Sequence, residues 1–356
     1  MREALRLAAR SRGRTAPNPM VGGVIVRRGR RVASGYHAGA GGLHGEASAI
    51  RNARGRTSGA TLYVNLEPCA HQGLQPPCVD AVLAAGFSRV VIGTADPDPR
   101  TAGSSIRRLR RAGIAVAVGV EAAACRELNR GFISRIERSR PFTILKLAAS
   151  LDGRIATATG ESRWLTGPRS RALVHDWRRG VDAIAVGSGT AVADDPALTA
   201  RWEGRIVHRP TRIVVDSRLR VGPDARLYRE PAERIVLTSR RAGTARRRAL
   251  ESRGVQVIGV AARGGHLDLR RAWRVLGSRG VNEVLVEGGG GLAAALLRAG
   301  LVDRLQLFLA PLLIGGDGRA VLAALGVERL AGALRPEVTG VRRIGDDLLL
   351  TADWPR

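Results

Sequence analysis

The chain has 356 residues, which at about 150 residues per domain predicts two domains. Apolar residues make up 44% of the chain and charged residues 25%, a composition that excludes a disordered chain, a coiled coil and a collagen-like repeat. Its net charge of +27 suggests a polyanion or a small anionic substrate as partner. No apolar run reaches the roughly 18 residues of a membrane-spanning helix, and residues 1–6 lack the apolar stretch of a signal peptide, so we expect a cytoplasmic protein without a membrane partner.

The first 140 residues alternate between strand and helix patterns, which predicts a layered α/β domain. An amphipathic helix is predicted over 1–15 and ends before Pro17-Asn18-Pro19. The predicted strands are 21–26, 31–37, 61–66, 89–94 and 114–118. The other predicted helices are 44–54, 78–85, 103–112 and 121–139.

Pro141 follows the last of these helices and places a domain boundary near 140–142, with predicted domains of 1–141 and 142–356. A second α/β series follows, without an internal repeat or a low-complexity tail. Its predicted strands are 143–147, 183–186, 212–216, 234–238, 255–260, 283–287 and 305–309. Its predicted helices are 168–178, 268–278 and 291–299.

Three potential metal ligands lie in the first domain: His44 in His44-Gly45-Glu46, Cys69 after a proline, and Cys78 after another. An imidazole and two thiolates are the protein ligands of a catalytic zinc, which keeps a fourth position for water and lowers the pKa of that water towards 7. Helix positions two apart point roughly 200° apart, so we expect His44 at the helix cap, where Glu46 can also project past the helix end. Zinc deaminases use such a carboxylate to move protons, although eight residues, not two, separate these cysteines.

Other polar residues of this domain have simpler interpretations. A buried cysteine alone is a common core residue, and Cys125, without candidate ligands nearby in sequence, is predicted to be a plain thiol. His71 is an extra candidate ligand, but we favour a loop histidine that hydrogen-bonds substrate or backbone. Asn18, between two prolines, fits either a turn or a contact to a base edge, and both interpretations stay open.

Five segments carry a resemblance that covers essentially the whole chain. Residues 17–22 have the sequence PNPMVG, residues 44–46 HGE, residues 66–78 LEPCAHQGLQPPC, residues 146–154 KLAASLDGR and residues 193–199 ADDPALT. They closely resemble the zinc-loop and reductase motifs of the bifunctional riboflavin-biosynthesis deaminase-reductase family. The resemblance implies an α/β fold class, with an N-terminal cytidine-deaminase-like three-layer domain and a C-terminal dihydrofolate-reductase-like domain.

The resemblance also implies two activities. The first domain would hydrolytically deaminate 2,5-diamino-6-(5-phosphoribosylamino)pyrimidin-4(3H)-one, with one Zn²⁺ held by His44, Cys69 and Cys78 and with Glu46 as the catalytic proton shuttle. The second domain would use NADPH to reduce the ribosyl group of the product, giving 5-amino-6-(5-phosphoribitylamino)uracil. The partners implied are thus a phosphorylated pyrimidine and further copies of the chain in a homo-oligomer.

For the second domain the resemblance implies two groups of site residues. The NADPH site would contain Ala148, Trp164, Thr190, Asp194, Ser217, Gly289, Gly290 and Gly291. The substrate site would contain Ser162, Arg178, Leu198, Arg201 and Glu287. Forked donors on Arg178 and Arg201 could clamp a phosphate. The glycine run begins where a predicted strand ends and a helix starts, an arrangement that presents backbone N–H groups to a phosphate.

The chain departs from the family pattern at a few positions near the zinc loop. Gly45 stands where Ala is usual, which weakens a helix start by up to ~1 kcal/mol. Leu74 and Gln75 replace a basic residue and Thr, and Asp98 replaces Asn. None of these changes affects the metal ligands, but a lost basic residue removes a contact available to a substrate phosphate, so a shifted pyrimidine substrate stays an alternative.

The charge supports a second hypothesis, a zinc deaminase that acts on nucleic acid with a divergent second domain, and a third hypothesis gives the zinc a structural role only. However, Lys146 is the only lysine among 58 basic residues, and the arginines are spread along the chain. Aromatic side chains, which stack on single-stranded bases, make up only 3% of the residues. We therefore interpret the charge as a compositional bias and do not expect nucleic acid as a partner.

Overall fold

The computed structural model describes residues 1–354, apart from the side chain of Arg263. The chain forms two compact units, Met1–Arg140 and Pro141–Arg356. The last two residues of the predicted second domain, 355 and 356, lie outside the described residues. Within residues 1–354, no helix combines the length and the apolar character needed to cross a membrane.

The first unit is an α/β structure built on a five-stranded sheet. Its helices are α1 (Arg2–Ala9), α2 (Gly45–Ala53), α3 (Cys78–Ala84), α4 (Ser104–Arg111), α5 (Ala122–Leu128) and α6 (Arg130–Arg138). Its strands are β1 (Gly22–Arg27), β2 (Arg30–Tyr36), β3 (Thr61–Leu66), β4 (Arg89–Thr94) and β5 (Ala115–Val118). The strand order is β2-β1-β3-β4-β5. Strand β1 pairs antiparallel with β2 and β3, whereas β3, β4 and β5 are parallel.

A buried carboxylate joins the loops that follow β3 and β4. Because these strands are parallel, both loops leave the same edge of the sheet. The Glu67 carboxylate, which lies directly after β3, accepts hydrogen bonds from the backbone N–H groups of Asp96, Gly103, Ser105 and Ile106 at 2.9–3.3 Å. These bonds satisfy free N–H groups at the start of α4 and attract the positive end of its dipole. Glu67 therefore fixes the segment that leads into Cys69.

Two predicted helices of this unit differ from the structure. The predicted helix 1–15 ends at Ala9, and turns lead on to residue 18. The predicted helix 121–139 is two helices, α5 and α6, separated at Asn129. The Asn129 carboxamide accepts a bond from the Met20 N–H (2.8 Å) and donates one to the Met20 carbonyl (3.0 Å). A long-range contact of this kind overrides the helical pattern of the sequence.

The second unit contains a nine-stranded sheet. Its helices are α7 (Pro168–Gly180), α8 (Ser188–Asp194), α9 (Arg226–Arg229), α10 (Thr244–Glu251), α11 (Leu269–Ser278) and α12 (Gly290–Arg298), with a 3₁₀ turn at Leu330–Gly332. Its first strands are β6 (Phe142–Ser150), β7 (Arg154–Ala156), β8 (Ala183–Gly187), β9 (Ala200–Trp202), β10 (Arg205–His208), β11 (Thr211–Val215), β12 (Arg234–Ser239) and β13 (Gln256–Val260). The remaining strands are β14 (Ala262–Arg263), β15 (His266–Leu267), β16 (Glu283–Glu287), β17 (Arg304–Ala310), β18 (Arg319–Ala320), β19 (Glu337–Ile344) and β20 (Asp347–Asp353).

The large sheet has the order β13-β12-β11-β8-β16-β6-β17-β20-β19 and is parallel from β13 to β17. Alternate side chains of the parallel strands enter apolar cores on the two faces, which explains their continuous apolar sequences. Trp273 on α11 lies in one core, and Leu227 on α9 and Leu250 on α10 lie in the other. The carboxyl ends of the parallel strands form one edge, where such sheets bind ligands.

Several elements of this unit are not predicted from the sequence. Strands β19 and β20 form an antiparallel hairpin at the sheet edge, and most residues of β19 are exposed on both faces, so the apolar alternation of a half-buried strand is missing. Helix α10 buries Leu250 and carries three consecutive arginines, which leaves little apolar periodicity. Helix α8 is a seven-residue segment within what the sequence presents as a loop.

We predict that Trp273→Ala lowers the free energy of unfolding by about 3–5 kcal/mol. The Trp273 side chain is fully buried, and its indole N–H donates to the Thr143 hydroxyl at 2.8 Å. Urea unfolding followed by circular dichroism measures the change. The matched control is Trp202→Ala, because Trp202 is 57% exposed and its removal should change the free energy by less than about 0.5 kcal/mol. Equal effects of the two substitutions would contradict this placement of the core.

Candidate functional site

His44 and Glu46 lie together at the start of α2, as their spacing predicts. His44 is the N-cap residue with an extended backbone (φ −66°, ψ 164°), and Glu46 is buried in the first helical turn. Gly45 lies between them against the backbone of Val21, where a Cβ atom would be 2.6 Å from the Val21 carbonyl oxygen. The absence of a side chain at position 45 therefore allows the start of α2 to pack closely against the Val21 backbone. This packing favours glycine at position 45 despite its low helix propensity.

The two cysteines come from the loop after β3 and from the first residue of α3. His44 Nδ1 lies 3.6 Å from Cys69 Sγ and 3.3 Å from Cys78 Sγ. The Cys78 backbone N–H donates to Cys69 Sγ at 3.3 Å. One ligand atom from each of the three residues lies within 4.8 Å of the others. The structure therefore brings together three residues that are far apart in sequence.

The chemistry of this cluster fits a zinc ion. Tetrahedral zinc, with Zn–N near 2.0 Å and Zn–S near 2.3 Å, places nitrogen and sulfur ligands about 3.6 Å apart, close to the distances from His44 Nδ1. A hydrogen bond from Cys78 and another from His44 lower the pKa of Cys69 to about 4 despite burial, so Cys69 offers a thiolate. Three protein ligands leave the fourth position of a catalytic zinc for water.

Glu46 has the properties of a proton-transfer group beside this cluster. Its Oε2 atom is buried and has no hydrogen-bond partner among residues 1–354. Burial and the nearby Cys69 sulfur raise the pKa of Glu46 to about 7. A carboxyl group with such a pKa can both accept and donate a proton near neutral pH. The unsatisfied oxygen indicates that a ligand or a water completes its hydrogen bonding.

His37 is a site residue that the sequence does not identify. Its ring lies edge-on to that of His44, with centroids 5.2 Å apart. Nδ1–H donates to the Leu43 carbonyl at 3.0 Å, and burial lowers the pKa of His37, which favours the neutral ring. Its buried Nε2 has no partner in the described part of the chain. The only signal in the sequence is its position at the end of a predicted strand and shortly before His44.

The loops that follow β3 and β4 contain other residues singled out in the sequence of this unit. His71 Nδ1 lies 3.2 Å from the Thr101 hydroxyl, so the structure gives His71 the hydrogen-bonding role and leaves it out of the metal cluster. The Asp98 carboxylate pairs with the Arg100 guanidinium at 2.6 Å. Leu74 is 87% exposed, and the Gln75 amide donates to the Gly41 carbonyl.

Cys125 and Asn18 lie outside the three-residue metal cluster. Cys125 is a fully buried free thiol on α5, and burial raises its pKa to about 11. This agrees with the plain thiol predicted. Asn18 ends a turn in which its N–H donates to the Thr15 carbonyl at 2.8 Å. The turn interpretation therefore accounts for the backbone conformation of Asn18.

In the second unit, some of the predicted NADPH residues line one cavity of about 440 Å³ at the carboxyl ends of β8, β11 and β16. These are Thr190, Ser217, Gly289 and Gly291. The Thr190 hydroxyl accepts a bond from the Gly289 N–H at 2.8 Å, which ties the start of α12 to α8. The volume is in the range of ligand pockets.

The other predicted NADPH residues do not line this cavity. Gly290 opens α12 and packs against the backbone of residues 321–323. Ala148 lies on β6. Trp164 is 71% exposed, with the Arg171 guanidinium 4.6 Å from its ring centroid. Asp194 is 3.8 Å from the Arg163 guanidinium.

The predicted substrate residues include a partly buried ion pair. Arg178 binds Glu287 through two hydrogen bonds of 2.6 Å and donates a third bond to the Thr199 carbonyl at 3.1 Å. Burial opposes ionisation of Glu287, but Arg178 outweighs it and lowers the pKa of Glu287. Lys146 is paired with Glu287 in the register of β6 and β16, and burial lowers its pKa. Three of the five donors of the Arg178 guanidinium are thus used, and Glu287 balances its charge, which does not favour the phosphate clamp expected from it.

Of the remaining substrate residues, Ser162 lies before α7, Leu198 lies just before β9, and Arg201 lies on β9. Arg201 is exposed, and its Nε donates to the Thr199 hydroxyl at 3.2 Å. Leu198 is buried with a left-handed backbone (φ 50°). Ser162 is half-buried. Arg201 therefore keeps a cation available where Arg178 does not.

Comparisons with known proteins identify the family. Residues 1–94 match the cytidine and deoxycytidylate deaminase zinc-binding region, and residues 141–350 match the RibD C-terminal domain. The riboflavin biosynthesis protein RibD of Escherichia coli (strain K12) is 42% identical over 98% of this chain and 97% of that protein. The chain belongs to the RibD family. RibD of Aquifex aeolicus (strain VF5) is 39% identical over 98% of this chain and 96% of that protein.

Solved structures of RibD proteins have the same fold. RibD of Acinetobacter baumannii is 35% identical, with a TM-score of 0.89 over 99% of this chain and 97% of that one. A diaminohydroxyphosphoribosylaminopyrimidine deaminase/5-amino-6-(5-phosphoribosylamino)uracil reductase from Thermotoga maritima is 34% identical, with a TM-score of 0.86 over 100% of this chain and 97% of that one. The predicted family and the predicted fold class are confirmed, and zinc and NADPH are the cofactors.

We predict that the purified protein binds about one zinc ion per chain and that Cys69→Ala and His44→Ala lose it, because two ligands cannot complete the site. Metal analysis after gel filtration in zinc-free buffer measures the ratio. Cys125→Ser is the matched control, since Cys125 lies outside the cluster, and it should keep the zinc. Zinc retained by both ligand variants would show that the ion is held elsewhere.

Proposed function

We propose that this RibD family member catalyses two consecutive steps of riboflavin biosynthesis. The first is hydrolytic deamination of 2,5-diamino-6-(5-phosphoribosylamino)pyrimidin-4(3H)-one in the unit Met1–Arg140. The second is NADPH-dependent reduction of the ribosyl group of the product in the unit Pro141–Arg356, which yields 5-amino-6-(5-phosphoribitylamino)uracil. The observation that carries the proposal is the convergence of His44, Cys69 and Cys78 beside the buried Glu46.

For the deamination, each residue of the first site has a distinct task. His44, Cys69 and Cys78 would hold the zinc ion, which when bound supplies a water activated for attack at neutral pH. Glu46 accepts a proton from the attacking water and passes it to the ring nitrogen; it then takes the proton of the newly added hydroxyl group and passes it to the departing amine. The balance is one water consumed and one ammonia released, with a carbonyl in place of the amine.

The neighbours of Glu46 support this task. Burial and the Cys69 sulfur raise the pKa of Glu46 to about 7, which suits a side chain that both accepts and donates a proton. Burial lowers the pKa of His37, which favours a neutral ring beside His44. The Glu67 bonds keep the loop that carries Cys69 in place. The site thus combines a fixed sulfur ligand with an unpaired carboxylate oxygen.

For the reduction, the cofactor and the substrate are proposed to bind at the carboxyl edge of the large sheet. The NADPH residues proposed are Ala148, Trp164, Thr190, Asp194, Ser217 and Gly289–Gly291. The start of α12 presents backbone N–H groups suited to the pyrophosphate. The Arg178–Glu287 pair and Lys146 set a buried pattern of charges in the substrate region, and Arg201 is the proposed cation for the substrate phosphate. Ser162 and Leu198 complete the proposed substrate site.

The phosphorylated form of the pyrimidine and a homo-oligomeric assembly are parts of the same proposal. The strongly positive chain favours an anionic substrate. Analytical ultracentrifugation of the full chain tests the assembly. A sedimentation coefficient of the monomer across the working concentration range would overturn that part without affecting the two activities.

We predict that Glu46→Gln lowers the rate of ammonia release by about 10²–10⁴-fold, since an amide cannot transfer the protons. Zinc content should stay unchanged, because Glu46 is not a member of the ligand cluster. NADPH oxidation with the deaminated pyrimidine should also be retained. Glu137→Gln, an exposed change in the same unit, is the control. Wild-type ammonia release from Glu46→Gln would overturn the mechanism.

A coupled assay tests the assignment of both activities. The full chain is given the diamino pyrimidine phosphate with and without NADPH, and ammonia and NADPH are followed separately. We expect ammonia release in both cases and NADPH oxidation only after deamination. Ammonia release with no NADPH oxidation would overturn the reductase half and leave the deaminase half.

A further inference from the structure

Arg220 lines the cavity of the second unit, although it is not one of the predicted NADPH residues. Arg220 lies in the turn after β11, and its guanidinium donates to the Ser188 hydroxyl at 2.6 Å. Ser188 is the first residue of α8 and, like Arg220, lines the cavity. The hydrogen bond therefore directs an otherwise exposed arginine towards the cavity wall. It uses one of the five donors of the guanidinium.

The cavity-lining residues include cations and no carboxylate. The arginines Arg220 and Arg298 line the cavity, together with His266 and with hydroxyl, glycine and apolar residues. Pockets that bind a dinucleotide with a free ribose 2′-hydroxyl place an acidic side chain there, whereas an arginine accommodates a 2′-phosphate. The lining of this cavity therefore matches the phosphorylated dinucleotide.

Asp216, the acidic residue next to Ser217 in the sequence, does not line the cavity. Asp216, directly after β11, is buried, and its Oδ1 accepts a bond from the Arg218 N–H at 3.3 Å. Its Oδ2 accepts a bond from the Val221 N–H at 2.9 Å. Asp216 thus shapes the turn that carries Arg220, and it is not among the residues that line the cavity.

Of the two arginines, Arg220 is the better placed. Arg298 is the last residue of α12, and its guanidinium donates to the Ala324 carbonyl. Within residues 1–354, no carboxylate lies within ion-pair distance of Arg220. Strand β8 lies between β16, which leads to the glycine run, and β11, which leads to Arg220. Two strand spacings, roughly 10 Å, separate β16 from β11.

We propose that Arg220, oriented by Ser188, binds the 2′-phosphate of NADPH and makes the reductase select NADPH over NADH. Ser217, in the same turn and lining the same cavity, places a hydroxyl beside it. The proposal rests on the proposed function, because it takes this cavity as the adenosine end of the cofactor site. It adds the residue that distinguishes the two dinucleotides.

The test uses the full chain and two fragments of the cofactor. Isothermal titration calorimetry measures the binding of adenosine 2′,5′-bisphosphate and of adenosine 5′-monophosphate. The wild-type protein should prefer the bisphosphate. Arg220→Gln should weaken bisphosphate binding roughly 10- to 100-fold, the effect of losing a hydrogen bond between charged groups, and leave monophosphate binding unchanged. The KM for NADPH should rise while the KM for NADH stays the same.

Two further variants complete the design. Arg248→Gln removes an exposed positive charge of the same unit outside the cavity and should bind both fragments as the wild type does. Arg220→Lys keeps the charge without the fork, so bisphosphate binding should fall between wild type and Arg220→Gln. If Arg220→Gln fails to fold, Arg220→Lys and the wild type carry the comparison.

Each contrary result has a separate meaning. Bisphosphate binding by Arg220→Gln as tight as by the wild type would overturn the role of Arg220 and leave the proposed function intact. An equal loss of both fragments would overturn it too, since Arg220 would then not distinguish the 2′-phosphate. If NADPH displaces neither fragment from the wild-type protein, the cavity is not the cofactor site, and that part of the proposed function fails as well.

Discussion

The buried carboxylate of Glu67 is the contact on which the deaminase site depends most directly. Parallel pairing sends the loops after β3 and β4 to one edge of the sheet, but it does not fix their conformations. Glu67 does so by accepting backbone hydrogen bonds from the second loop and from the start of α4. Cys69 follows two residues later, so its sulfur is presented by a segment whose polar groups are already satisfied. Helices α2 and α3 then bring His44 and Cys78 to that sulfur.

The sequence predicts the parts of this site whose chemistry is local. His44, Cys69, Cys78 and Glu46 stand in short motifs with metal-binding side chains, and their convergence follows those motifs. His37 lacks such a motif, because its role depends on the ring of a residue that it meets only after folding. The same limit applies to the fold: apolar strands and amphipathic helices are predicted well, whereas the exposed strand β19 and the arginine-rich helix α10 lack the periodicity on which such predictions rest.

The reductase unit shows the same distinction for charged residues. Residue type alone makes Arg178 a suitable phosphate ligand, yet its partner Glu287 is 109 positions away and occupies two of its donors. Lys146, the only lysine of the chain, is found in the same buried group. By contrast, Arg220 is one of many arginines in the sequence and becomes informative through its bond to Ser188. In a chain so rich in arginine, the hydrogen-bond partner of each guanidinium indicates its role, whereas the residue type alone does not.

The contact between Gly45 and Val21 has a consequence for protein engineering. Any larger residue at position 45 would have to move either the Val21 backbone or the first turn of α2, because the space for a Cβ atom is absent. That turn carries His44 and Glu46, so the displacement would spread directly to the ligand nitrogen and the catalytic carboxylate. Libraries that aim to change pyrimidine preference should therefore hold this position constant and diversify exposed positions such as Leu74.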